Sequence, residues 1–199
     1  MHDKVEIPDC DVLIHTGDFC IRGKAEDAQE FVDWFASIPI PEKIFIAGNH
    51  DRVMETHPHL VKIPVGNGVT YLEDRGVTIM GYKFWGSPVS PAFNNWAFNR
   101  TRGPQIKEHW DRIPEGTDVL ITHGPPLGIL DFVAWDNKGV GCKDLLFAVT
   151  KIRPSLHCFS HVHGGYGLRA EGTTLFANGS FVNEDYNPIN KPHVVELDV

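Results

Sequence analysis

The chain has 199 residues, of which 42% are hydrophobic and 22% charged, a globular composition with enough apolar mass for one sizeable core. No apolar run approaches the roughly 20 residues of a membrane span, mean hydropathy is −0.19, and the 19 glycines and 14 prolines are too few for a collagenous or disordered chain. The net charge of −8, from 18 basic and 26 acidic residues, offers no basic face, so neither a nucleic-acid polymer nor a membrane is an expected partner.

Four cysteines, Cys10, Cys20, Cys142 and Cys158, are scattered without a C-x-x-C pair. They read as reduced thiols of a cytoplasmic protein, and the opening MHDKVEIPDC has no signal-peptide core. Oligomeric state leaves no mark in the sequence. The unusual count is histidine, at 11, many of them beside glycine, asparagine or aspartate.

In chain order, Val12–His15 reads as a buried strand ending at Thr16-Gly17-Asp18. Ala25–Ile38 places Ala28, Phe31, Trp34, Phe35 and Ile38 at helical spacing and stops before Pro39. Ile44–Ala47 is a second strand, ending at Gly48-Asn49-His50-Asp51. Val77–Met80 and Lys83–Trp85 flank Gly81-Tyr82 as a hairpin. A short helix is predicted over Gln105–Arg112, a strand over Val119–Thr122, a helix over Cys142–Ile152 and a strand over Leu156–Ser160. Thr174–Ala177 and His193–Leu197 complete the predicted strands. Early strand-helix-strand alternation followed by hairpins indicates an α/β fold.

Four strands end in polar turns: HTGD (His15–Asp18), GNHD (Gly48–Asp51), THGPP (Thr122–Pro126) and SHVH (Ser160–His163). Turns at the carboxyl ends of neighbouring strands converge at one edge of an α/β sheet. They offer Asp18, Asn49, His50, Asp51, His123, His161 and His163, an oxygen and imidazole set without thiolate that suits Mn, Fe, Zn or Mg. Any one of them alone could be a capping residue. Gly-Asn-His-Asp after an apolar run is sharper, and the ordered combination points to metal binding. His15 is expected to be packed or to support the site. His2, His57, His59, His109, His157 and His193 are read as surface or structural, and Cys142 and Cys158 as packed thiols.

The ordered motifs HTGD, GNHD, THGPPLG and SHVH over residues 11–163 resemble the calcineurin-like metallophosphoesterase superfamily. FWGSPVSPAFNNWAFN (Phe84–Asn99), THGPPLG and VGC (Val140–Cys142) are similar to its metallophosphoesterase-domain-containing subgroup. The resemblance implies a single metallophosphoesterase domain over 1–199, folded as a four-layer α/β/β/α sandwich with a two-metal site at the sheet edge. Residue by residue, it makes Asp18 the carboxylate bridging two divalent ions (Mn, Fe or Zn; Mg possible). Asn49, His123 and His161 become further ligands of the second ion, and His163 a ligand of the first. His50 becomes the catalytic residue beside the leaving group and Asp51 the acid that orients its imidazole. The implied reaction is attack of a bridging hydroxide on a small phosphodiester such as a cyclic nucleotide, in line with the leaving oxygen. Bound dications would make the cleft locally positive, so the acidic balance does not exclude an anionic substrate.

The aromatic and asparagine-rich segment after Trp85 is either a packed loop or a pocket wall. In the second case Asn94 and Trp96 contact substrate, and Arg100 and Arg102 hold phosphate. Asn178-Gly179-Ser180 follows a strand and is expected at most to support the site. Two departures from the family stand out. Ser160 replaces a glycine, with little effect expected from so small a residue. The opening strand ending in Asp-x-His is not found before Asp18, and His2-Asp3 does not substitute for it. The expectation is a fold without its first strand, a complete second metal site and half of a first, with Met1 an internal methionine of a longer reading frame or the start of a truncated isoform. The alternative to an enzyme is a catalytically weak or inactive metal- or nucleotide-binding scaffold on the same fold.

Overall fold

Side chains on a β-strand point alternately to opposite faces, and the apolar residues of this chain use both. The computed structural model describes residues 4–134 and 136–197; His2 lies outside them. The elements are β1 (Val12–His15), α1 (Ala25–Ser37), β2 (Glu42–Phe45), α2 (Arg52–Thr56), β3 (Val69–Tyr71), β4 (Arg75–Ile79) and β5 (Tyr82–Ser87). They continue with β6 (Ser90–Pro91), β7 (Asn99–Arg100), α3 (Pro104–Trp110), β8 (Val119–Thr122), β9 (Phe132–Val133) and β10 (Lys138–Gly139). Last come α4 (Lys143–Ile152), β11 (Leu156–Phe159), β12 (Gly167–Glu171) and β13 (Thr174–Asn178).

β1, β2 and β3 form a parallel sheet in that order, so β1 is an edge strand among the described residues. A second sheet has six strands in the order β12-β13-β11-β8-β5-β4. Its centre, from β13 to β5, is parallel, and each edge is an antiparallel hairpin partner.

Three apolar layers hold these sheets. Phe45 and Ala47 face α1, where Ala28, Phe31, Val32 and Phe35 are buried. Ile44 and Ile46 face the opposite way, onto Phe84, Val119, Ile121, Leu156 and Ala177 of the six-stranded sheet. The other face of that sheet, with Trp85, Leu120, Phe159 and Phe176, packs on Ile106 and Trp110 of α3 and Leu145 and Val149 of α4. Helix, sheet, sheet, helix is the resulting order, the predicted four-layer sandwich. Burying a large aliphatic or aromatic side chain contributes roughly 1.5–3 kcal/mol, and Ile44 and Phe45 serve two different layers one residue apart.

Helix ends follow local chemistry. α1 stops because Ile38, extended at φ −66° and ψ 129°, precedes Pro39, which disfavours helical backbone before it. α4 begins where the Cys142 thiol accepts the Leu145 N–H and ends at Arg153 in the left-handed region, just before Pro154. One expectation is corrected: His193–Leu197 joins neither sheet. Side chains hold this segment instead of a ladder, with His193 Nε2 3.0 Å from the Asn178 carbonyl and the Tyr82 hydroxyl donating to the Leu197 carbonyl. Val195 and Leu197 still pack on the layer between the sheets.

His157 is fully buried in β11 against Phe159 and Phe176. The Thr122 hydroxyl donates to the Gly124 carbonyl (2.8 Å), so it accepts from His157 Nε2 (2.8 Å), which leaves Nδ1 as an unprotonated lone pair with no partner among the described residues. Burial accordingly pushes the imidazole down to about 3 from 6.5. The unfolded chain therefore binds more protons between those values, and stability falls as pH drops below 6.5. At pH 5 this one group should cost about 2 kcal/mol. In urea unfolding at pH 7.5 and 5.0, a His157→Phe variant should show a shallower loss than the parent; equal losses would contradict the assignment.

Candidate metal centre

The loops after β1, β2, β8 and β11 meet where the two sheets abut. Asp51, fully buried, draws the first two together: its carboxylate accepts the N–H groups of Asp18 (2.8 Å), Cys20 (2.8 Å) and Gly48 (2.7 Å). The loops approach so closely that glycine is required. A Cβ on Gly48 would stand 2.3 Å from Asp18 Oδ1 and 2.5 Å from His123 Cε1. One on Gly17, at φ +98°, would stand 2.6 Å from the Gly48 nitrogen. Asp18 and His161 both occupy the left-handed region, at φ 61° and 67°. Such strain costs on the order of 1–3 kcal/mol and concentrates at functional sites.

Ligand atoms of Asp18, His123 and His161 lie within 4.8 Å of one another. His123 Nδ1 donates to the Thr16 carbonyl (2.9 Å), which aims Nε2 at Asn49 Oδ1 (2.8 Å) and Asp18 Oδ2 (3.3 Å). One ring nitrogen thus faces two oxygen acceptors with a second imidazole alongside, a place that either a proton or a cation satisfies. The donor set fits a divalent metal of the Mn, Fe, Zn or Mg kind. Electrostatics agree. Burial works against both charged forms, but His123 holds the Asp18 carboxyl below its usual range, and Asp18 holds the His123 imidazole above its own. Burial, then the charge of His123, lowers His161 to about 3, leaving it a neutral imidazole. Burial also lowers His163.

His50 donates its backbone N–H to Asp18 Oδ1 (2.9 Å), and its ring, 3.1 Å from the Ile21 carbonyl through Nδ1, lies against Trp96 with centroids 4.3 Å apart. The motif led one to expect Asp51 to orient that ring, and it does not. Its two oxygens are taken by three backbone donors, and burial plus the Asp18 charge raise its carboxyl to about 7. His163 is outside the three-residue group, with Nδ1 3.1 Å from the Asn183 carbonyl.

The two arginines expected to hold phosphate have partners within the protein. Arg102 donates to the carbonyls of Val140 and Gly141, and Arg100 binds Glu55, the Asn99 carbonyl and His109. These guanidiniums cross-link the loop. Asn94, in the left-handed region, is a turn residue whose carbonyl accepts from the Asn99 amide. Of the four expected substrate contacts, only Trp96 touches a candidate catalytic ring. His15 packs among Phe19, Phe31 and Phe35 and accepts the Gly17 N–H at Nδ1.

Other supports were faint or silent in the sequence. Asn178, fully buried, donates to the carbonyl of Val162, between His161 and His163 (2.9 Å), and to that of Leu130. The Ser160 hydroxyl donates to the Thr16 carbonyl that also receives His123 (3.2 Å). The departure from glycine there adds a link between the two sheets.

Comparison with known proteins gives the family in which this candidate centre lies. The calcineurin-like phosphoesterase family profile matches residues 1–165, and the chain belongs to that family. It is 40% identical, across 98% of its own length and 67% of the relative's, to human metallophosphoesterase domain-containing protein 1. A Caenorhabditis elegans relative, UPF0046 protein K07C11.7, is 38% identical over 96% of this chain and 69% of its own. The chain thus spans about two thirds of these relatives. Among solved structures, the Thermus thermophilus protein TT1561 shares the fold at a TM-score of 0.52 and 14% identity, over 85% of this chain and 76% of that one.

The Asp51 geometry has a direct consequence. Asp51→Asn keeps the shape but turns one acceptor oxygen into an NH₂ facing backbone donors. Urea unfolding should show a loss of about 2–3 kcal/mol; a change below about 0.5 kcal/mol would contradict the clamp.

Proposed function

We propose that this chain hydrolyses phosphodiester bonds of small substrates such as cyclic nucleotides, using two divalent cations, manganese foremost, at the sheet junction. The convergence of Asp18, His123 and His161 within 4.8 Å carries the reading. Asn49 joins them as an oxygen donor through its contact with His123, and His163 stands by as the further imidazole.

Bound divalent cations supply Lewis-acid polarisation of phosphoryl oxygens and acidify a water nucleophile. The chain's own groups do the rest. The Thr16 carbonyl holds the His123 tautomer, and the Asn183 carbonyl holds His163, so that each presents Nε2. His50, held over the site by its backbone bond to Asp18 and by Trp96, is placed to give a proton to the leaving oxygen or to stabilise its charge. No nucleic-acid polymer or membrane is needed. Among the described residues no helix is long and apolar enough to cross a membrane. The free thiols of Cys10, Cys20, Cys142 and Cys158 support a cytoplasmic setting.

Turnover of bis-p-nitrophenyl phosphate by the purified protein with Mn²⁺ tests the reading. Activity should vanish on chelation and return with Mn²⁺. His50→Ala should lower kcat by roughly 10²-fold or more while leaving metal content unchanged. Metal-loaded protein without turnover would overturn the hydrolase reading in favour of a metal- or nucleotide-binding scaffold.

A further inference from the structure

The family profile ends at residue 165, yet the loop over 182–188 reaches the site. Asn183 is its organiser. Its side-chain oxygen accepts the N–H groups of Asp185 (3.1 Å) and Asn187 (2.9 Å), its own N–H reaches the Asn187 carbonyl (3.0 Å), and its carbonyl accepts Tyr186 N–H (2.9 Å) and faces His163 Nδ1 (3.1 Å). A bridge between Val182 and Pro188 closes the loop, and Glu184 ties it to the Ala134 N–H.

This scaffold holds Tyr186 at φ +59°, a conformation that is a genuine outlier for so bulky a residue. The strain is not repaid by burial, because Tyr186 is 62% exposed. Its ring instead stands edge-on to His163, centroids 5.1 Å apart at 87°. On the other sheet's side of the junction, Trp96 is tilted over His50 at 34°, centroids 4.3 Å apart, and is itself 36% exposed. Each sheet thus contributes one imidazole to the site with an exposed aromatic ring beside it. A ring fixed by its own hydrogen-bonded loop and left open to solvent beside a polar centre, as Tyr186 is, suits the planar part of a ligand whose charged part enters the centre.

We propose that Tyr186 is a specificity-determining wall of the site, packing against a planar, aromatic ester group of the phosphoester. The proposal rests on the phosphoester reading and names its substrate class: diesters bearing an aryl or nucleobase-like group rather than small alkyl esters.

Binding tests it without turnover. Calorimetry on the Mn²⁺-loaded protein should show phenylphosphonate bound about tenfold more tightly than methylphosphonate, the ratio that 1.4 kcal/mol of stacking gives. Tyr186→Ala should erase that preference by weakening phenylphosphonate alone, and Tyr186→Phe should retain it. Equal binding of the two phosphonates by the parent, or a Tyr186→Ala variant that keeps the preference or weakens both ligands alike, would overturn the proposal. Failure of the two readings is distinguishable: aryl preference without diester hydrolysis sinks only the hydrolase, and hydrolysis without aryl preference sinks only the wall.

Discussion

The site depends first on one buried carboxylate. Asp51 collects three backbone N–H groups from two loops, and each of those loops follows a strand of the three-stranded sheet. Without that acceptor, three backbone donors, those of Cys20 and Gly48 buried, would lose their partner. Asp18 and the Gly48-Asn49-His50 turn would then lose the contact that sets their separation. The close passage of Gly17 over Gly48 follows from the same constraint, as does the left-handed backbone of Asp18.

A second set of contacts crosses to the six-stranded sheet. The Thr16 carbonyl accepts from His123 and from the Ser160 hydroxyl, joining the turn after β1 to those after β8 and β11. Asn178 holds the peptide between His161 and His163 from β13. The layer of Ile44, Ile46, Val119 and Ile121 between the sheets supplies the rigid base on which such positioning rests. The chain's own hydrogen bonds therefore bring the ligand atoms of Asp18, His123 and His161 together.

Much of this was legible in the sequence, and for definable reasons. Apolar runs such as Val119–Thr122 alternate between two layers, and they end in Asp, Asn and His because side chains at strand ends reach a shared edge. The residues that support the site were harder to see. Thr16 and Asn183 act through backbone carbonyls, which carry no residue signature. Asp51 was visible as a chemical group, but its partners are amides brought close only by the fold. Arg100 and Arg102 looked free for phosphate because their acceptors, Glu55 and the carbonyls near Gly141, are distant in sequence. His193–Leu197 has a strand's alternation, yet side-chain hydrogen bonds hold it and no ladder does. Tyr186 offered no periodicity or motif at all; only its backbone strain and its position beside His163 reveal it.

Asp18, His123 and His161 converge as a candidate divalent-metal centre at the junction of two sheets. Titration of the metal-free protein with Mn²⁺, followed by the electron paramagnetic resonance signal of the free ion, tests it most directly. At least one tightly bound ion per chain is expected, lost in both Asp18→Ala and His161→Ala while their circular dichroism stays that of the parent. An unaltered titration in folded variants, or a parent that leaves all added Mn²⁺ free, would contradict it.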